Sequence, residues 1–425
     1  MRTHRTAMGS VALAAAGMLT LAACSSSTKA KTTTATTAAA STATTAAASK
    51  YPPIPAGPIK LAVITAVSGV NSAFGTATKK AFESVTQKQF NTLHPDGIDG
   101  HPVQIVVYDD GSDVTKGVQA ANQIVNDKVA AVVTVSTSPQ TTDQEMAVFN
   151  KAKLPVVAYP SGDKYSDASQ WPYTFGVTGT TKAFEAAAAA WVGKHPEIQK
   201  IAVMTDGSQQ QTEVLNDFLN SMKTSAPSVQ IVKTVTITPG AVDVSTALAQ
   251  LKQANADLQF LAVAYGFGPI WAGMQAAGWS PKMLVSPGVW YDGFSSMGNL
   301  ATNAVAAYED CVQPNHAPFP TAVTDGMTGY AGVFGSTSVN YLTFVQSDSV
   351  APELVKLAVE KYHSVDPDAI KTALEGMGPT TIFGTYQYNY TTTDHWAVTG
   401  EYGPIACKVA QPFSDGSARL PFVAP

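Results

Sequence analysis

From Ile59 onward the chain alternates short apolar runs with longer amphipathic stretches, and the runs lack the every-second-residue polarity of a half-exposed strand. Leu61-Ala62-Val63-Ile64 and Phe260-Leu261-Ala262-Val263 are apolar at every position. Such strands need cover on both faces, which a parallel sheet flanked by helices supplies. The pattern predicts strands over 59–66, 103–108, 130–135 and 154–159, with helices over 73–92, 114–127 and 141–151 between them. After a turn-rich stretch, 171–179, the alternation restarts, with helices over 182–192, 213–222, 244–254 and 269–277 and strands over 201–204, 229–236, 258–264 and 283–285. The fold class is therefore α/β, with two doubly wound parallel-sheet units. In such sheets ligands bind beyond the carboxyl ends of the strands, so two of them face to face make a cleft. Past residue 308 the regularity breaks, leaving helices over 352–362 and 367–375 and strand character over 380–409.

The first 58 residues belong to neither unit. Arg2, His4 and Arg5 precede an apolar stretch over 11–19 and then Leu21-Ala22-Ala23-Cys24, the layout of a secretory signal peptide. The apolar run is shorter than the roughly 20 residues a membrane span needs. Leu21-Ala22-Ala23-Cys24 resembles the bacterial lipobox, which implies a signal peptide over 1–23. The mature chain would then begin at Cys24, carry acyl chains such as palmitate, and be held on the extracytoplasmic face of the cell membrane. An uncleaved anchor and ordinary cleavage beside an incidental cysteine are the alternatives. Residues 24–58 read as a linker: Ser, Thr and Ala dominate, with Pro52, Pro53, Pro55 and Pro58 at its far end. A coil of this length reaches roughly 30 Å.

With residues 1–23 removed, the loss of Arg2 and Arg5 takes the formal charge from −5 to −7. A mildly acidic chain with no basic cluster is a poor partner for nucleic acid. The remaining cysteines, Cys311 and Cys407, form an even pair in an exported chain and are expected to be bonded, with two separately buried thiols as the alternative. The seven histidines show no paired helical spacing, so no metal and no cofactor is expected. Nor does a Gly-x-Ser-x-Gly elbow or a phosphate loop appear, and no catalytic residue is assigned. Asp109 and Asp110 lie at a strand end, where such pairs commonly cap turns. Gly266-Phe267-Gly268 imitates a dinucleotide fingerprint but has Trp271 where its last glycine belongs.

Ser68-Gly69-Val70-Asn71-Ser72-Ala73-Phe74-Gly75 after the first strand, Tyr108-Asp109-Asp110 after the second, Val133 through Ser138 after the third, and Leu154-Pro155 before the fourth together resemble the type I periplasmic solute-binding proteins of the branched-chain amino acid transporter group. The resemblance covers most of residues 59–290. It implies two lobes joined by three hinge strands, 59–177 with about 310–388 and 178–309 with about 389–425, closing over one small ligand that passes to an ABC permease. It implies a monomer. It also implies that Ser138 holds a ligand carboxylate, Phe74 walls the pocket, Ser161 and Gly162 give backbone or hydroxyl contacts, and Tyr265 caps the ligand.

Each residue also has a structural reading. Ser138 precedes Pro139 and suits a helix start. Phe74 suits a hydrophobic staple. Two positions depart from the family: Gly288 stands where an acid would meet a ligand's ammonium, with Asp292 four residues on, and the run Gln209-Gln210-Gln211 replaces a tyrosine expected after Asp206. A buried ammonium without its acid is costly. Trp290 and Tyr291 in the same loop suit a flatter ligand, or hinge packing. The sequence therefore predicts an ABC-importer binding lipoprotein for a small amino acid-like, carboxylate, amide or aromatic solute, with Gln210 in the site. A ligand-sensing lipoprotein and an exported α/β enzyme are the competing classes.

Overall fold

The computed structural model describes residues 50–69, 71–136, 138–160, 162–263, 267–285, 298–308, 340–382, 386–396, 398–400 and 405–408. Cys24, Ser161, Tyr265, Gly288, Trp290, Tyr291, Asp292 and Cys311 lie outside them. So do the side chains of Phe74 and Cys407, whose backbones are described.

The first sheet is built from β1 (Ile59–Thr65), β2 (Val103–Asp109), β3 (Ala131–Thr134), β4 (Val156–Ala158) and β5 (Thr174–Gly176), all parallel, in the order β2-β1-β3-β4-β5. Between them run α1 (Ser72–Ala81), α2 (Gln87–Leu93), α3 (Val114–Asn126) and α4 (Pro139–Lys151). The second sheet comprises β6 (Lys200–Thr205), β7 (Gln230–Thr236), β8 (Leu258–Ala262), β9 (Met283–Val285), β10 (Ala304–Tyr308) and the antiparallel edge strand β14 (Ile405–Lys408), in the order β14-β10-β9-β8-β6-β7. Its helices are α5 (Thr181–Gly193), α6 (Gln209–Ser225), α7 (Ser245–Gln253) and α8 (Phe267–Ala276). Counted from its own first strand, the parallel part of the second sheet repeats the winding of the first. Each sheet therefore has a switch point, between β1 and β3 and between β6 and β8, where loops diverge and leave room for a ligand.

The unbroken apolar runs are covered on both faces. Leu61 and Val63 join a core with Phe82, Phe90 and α9 (Asn340–Tyr362), while Ala62 and Ile64 pack with Ala121, Ile124, Met146 and Phe149 of α3 and α4. In the second sheet Ala202 and Met204 face Leu248 and Trp271, and Ile201 and Val203 face Phe218 and Ala188. The chain thus returns after residue 339 to the first sheet, where α9 and α10 (Pro367–Glu375) complete its cover. A small antiparallel sheet follows, β11 (Thr380–Ile382), β12 (Tyr386–Tyr388) and β13 (Val398–Gly400).

Three sequence expectations are corrected. The stretch 171–179 holds a strand, β5, which earns its ladder bonds from β4 rather than from its own propensity. The single helix expected over 73–92 is interrupted by a π-helical turn at Phe82–Thr86, which turns Phe82 and Val85 inward. Helix α9 starts at Asn340 and carries Pro352 in its interior. Proline removes one ladder bond there, and Val350, Ala351, Leu354, Val355 and Val359, all fully buried, hold the helix together across it.

Candidate functional site

The carboxyl ends of β1 and β2 are laced together by the acid pair after β2. Asp109 accepts the Ser68 hydroxyl at 2.7 Å and the amides of Ser68 and Gly111, and Asp110 accepts the Ser112 amide at 2.7 Å. Both acids therefore hold turns. After β3, Ser138 precedes α4 but makes no side-chain cap; its hydroxyl donates to Gln140 Oε1 at 3.4 Å and its amide to Ser136 Oγ at 3.3 Å. Pro139 opens the helix without needing a cap partner for its missing N–H.

Beyond these loops lies a cleft of about 450 Å³, lined by Pro139, Gly162 and Lys164 from the first sheet's loops and by Gln209, Gln210, Thr212, Glu213, Asn216 and Asp217 from α6. The α6 residues share one helix face at i, i+3 and i+4 spacing, while Val214, Phe218 and Met222 bury the other. Ser208 starts the helix by accepting the Gln211 amide.

Three acids converge here. One carboxylate oxygen each from Asp163, Glu213 and Asp217 lies within 4.8 Å of the other two. Asp163 joins the two halves of the cleft: its carboxylate accepts the amides of Thr181 and Lys182 at 2.7 and 2.8 Å, starting α5, and its own amide donates to Glu213 Oε1 at 2.7 Å. Asp217 has no hydrogen bond or ion pair among the described residues. Burial first, then the charges of Asp163 and Glu213, push it up to about 6, with Lys182 opposing. Burial likewise raises Asp163 and Glu213. Lys164 is paired with Asp143 at 2.5 Å, beside the Tyr165 hydroxyl on the same carboxylate. Near Asp217, Glu185 of α5 is buried, neither of its carboxyl oxygens has a hydrogen-bond partner among the described residues, and burial followed by the Asp217 charge raises it well above the ordinary carboxylate value. The spacing of the three acids suits a cation, and Asp217 is the member left open to receive one.

A family model described as periplasmic binding protein matches residues 58–402. The chain belongs to that family. This binding protein is 25% identical over 347 residues to the Leu/Ile/Val-binding protein homolog 3 of Brucella melitensis biotype 1, covering 78% of this chain and 88% of that one. It is 24% identical over 347 residues to the Leu/Ile/Val/Thr-binding protein of Salmonella typhimurium, covering 79% and 88%. Its fold matches a type 1 periplasmic binding protein of Bordetella pertussis with a TM-score of 0.72 at 16% identity, over 86% of this chain and 100% of that chain. It is a type I periplasmic binding protein of the branched-chain amino acid ABC substrate-binding group, a family of extracytoplasmic solute-binding proteins rather than enzymes. No helix among the described residues is long and apolar enough to cross a membrane.

Of the residues expected in the site of this binding protein, the structure brings Gly162 and Gln210 together in the cleft. Ser138 stands beside the lining residue Pro139 without lining the cleft itself. Phe74 lies in α1. The sequence reading missed Asp163, Lys164, Glu213 and Asp217. The signal for the last two was present: polar residues at 209, 210, 213, 216 and 217 alternate with buried apolar ones along α6, a face that also suits plain solvent exposure.

Proposed function

We propose that this periplasmic binding protein captures a small solute carrying a cationic nitrogen, an aliphatic amino acid being the first candidate, and delivers it to an ABC permease. The carrying observation is Asp217, a half-buried carboxylate without a partner among the described residues, with Glu213 and Asp163 beside it in the cleft. An ammonium placed among them would meet the acids that Gly288 fails to supply, and α6 would supply them in place of the loop after β9. Two relatives named for binding leucine, isoleucine and valine agree with that ligand class. The two sheet units would be the closing lobes, with boundaries near 177 and 309. Cys24, lipid-modified, would hold the trap at the membrane through the 24–58 linker.

One experiment tests ligand and tether together. Wild type and Cys24→Ala are fractionated, and the recovered proteins are screened by thermal shift against leucine, isoleucine and valine, their deaminated carboxylic acids and their decarboxylated amines. A ligand at about 100 times its Kd stabilises by about 2.7 kcal/mol. The expected result is stabilisation by compounds retaining the ammonium, recovered chemically unchanged, with Cys24→Ala soluble and binding equally well. Stabilisation by the deaminated acids alone would sink the cation reading, and a Cys24→Ala protein that stays in the membrane fraction would sink the tether.

A further inference from the structure

Beneath the Ser138 rim of the cleft lies a second acid pair that the three cleft acids do not explain. Glu145 of α4 and Asp110 after β2 are both fully buried, and Glu145 Oε1 and Asp110 Oδ2 have no hydrogen-bond partner among the described residues. The seat of Glu145 is shaped for it. A Cβ at Gly117 of α3 would lie 2.9 Å from Glu145 Oε1 and 2.5 Å from Thr141 Cγ2, so only glycine leaves room for the carboxyl. The other carboxyl oxygen, Oε2, accepts the amide of Ser136 at 3.3 Å. Every polar atom of Ser136 is then engaged: Thr142 Oγ1 donates to its carbonyl at 2.6 Å, and its hydroxyl accepts the Ser138 amide at 3.3 Å. Ser136 thereby ties Ser138 to the start of α4.

We propose that Glu145 is a positioning residue for solute capture, a proton-holding clamp whose neutral carboxyl, seated beside Asp110, fixes Ser136 and through it the Ser138 rim. The inference rests on the reading of the cleft as the capture site. A buried carboxyl with no cation near it keeps its proton. Burial, followed by the charge of Asp110, raises Glu145 to about 8. Burial also raises Asp110, with Asp109 adding like charge and the Ser112 amide and Ser136 side chain opposing. From α3, Lys116 lies against Gly111 and pairs with neither acid. On α4 itself Asp143 is taken up by Lys164 and Tyr165. When the rim opens and Glu145 meets water, its carboxyl regains an ordinary affinity for protons. The grip therefore weakens as pH rises from the ordinary carboxylate range to about 8 and levels off above it, since the closed form alone holds the extra proton.

Amide hydrogen exchange at Ser136 and Ser138, corrected for intrinsic rates and followed from pH 5 to 9, tests the clamp without any ligand. Wild-type protection is expected to fall by up to about tenfold per pH unit until about pH 8 and then flatten. Glu145→Gln, which keeps the acceptor and has no proton to lose, should hold its protection across the range and exceed wild type at pH 8. Glu145→Ala should lose protection at every pH, and Asp110→Asn, by removing a charge that raises Glu145, should shift the wild-type profile to lower pH. A wild-type profile without pH dependence, or a Glu145→Gln profile that falls in parallel with it, would overturn the proposal. Because the readout is the loop itself, a protein that proved to capture no amine-bearing solute would still decide the clamp.

Discussion

Asp217 is an acid in the wrong place for a protein surface and the right place for a cation. It stands eight residues into α6 beyond Gln209, half-buried, with two more carboxylates nearby and no donor of its own among the described residues. Its rise to about 6 has burial as the first cause and those neighbours as the second. Protonation below that value removes the charge that attracts an ammonium. The affinity of wild type for an amine-bearing solute, measured by calorimetry, should therefore hold from pH 8 to about 6.5 and fall roughly tenfold per unit in acid. Asp217→Asn should bind roughly tenfold more weakly at pH 8, and this part of the pH dependence should vanish. Equal pH profiles in the two proteins would remove Asp217 from the site. An acid of this kind is hard to read in sequence, because Glu213 and Asp217 at i, i+4 look the same whether they face bulk water or the loop after β4. What distinguishes them is Asp163, fifty residues from Glu213, whose amide closes on the Glu213 carboxylate.

Among the elements, β5 shows best how distant chain decides local structure. Thr174-Phe175-Gly176 lies between Pro172 and Gly179 and reads as turn, yet the end of the chain locks it in place as a strand. The Tyr390 hydroxyl donates to the Gly176 carbonyl at 2.5 Å, the Gly176 amide donates to the His395 carbonyl at 2.9 Å, and His395 stacks on Phe175 at 4.2 Å. Trp396 lies so close that a Cβ on Gly176 would come within 2.2 Å of its ring. Gly176→Ala should thus cost about 1–3 kcal/mol in urea denaturation through overpacking, whereas Gly268→Ala, with open space around it on α8, should be neutral or stabilising by up to about 1 kcal/mol. Equal midpoints for Gly176→Ala and wild type would show that the tail does not clamp the strand. The strands with unbroken Val, Ile and Ala runs were legible because burial on both faces leaves its mark in composition. β5 was not, because Tyr390, His395 and Trp396, which lock it in place, lie more than two hundred residues away. The same holds for the first half of α9, where Pro352 reads as a start and buried packing carries the helix past it.

At the scale of the whole molecule, the repeated winding sets two loop clusters against each other, and the acids make their approach depend on charge. Asp163 comes from the first sheet's loops and Glu213 and Asp217 from a helix of the second, so bringing the halves together gathers like charges within 4.8 Å. A cationic solute, as proposed, would relieve that repulsion and so couple capture to closure. A proton on Asp217 relieves it too, and linkage makes the two effects reciprocal. The carboxyl has a folded value of about 6 in this arrangement against an ordinary 3.8, so its proton favours the gathered state. That preference is complete below the ordinary value, declines as pH rises from about 4 to 6, and is gone above it. Small-angle scattering of the ligand-free protein should show a smaller radius of gyration at pH 5 than at pH 8, and Asp217→Asn should stay near the smaller value throughout. A radius that grows in acid, or that responds to pH identically in both proteins, would mean that the three acids do not govern the approach of the two sheets. If the expected result is found, proton and solute compete for one carboxylate: acid closes the empty trap and, by the same group, weakens its hold on an amine.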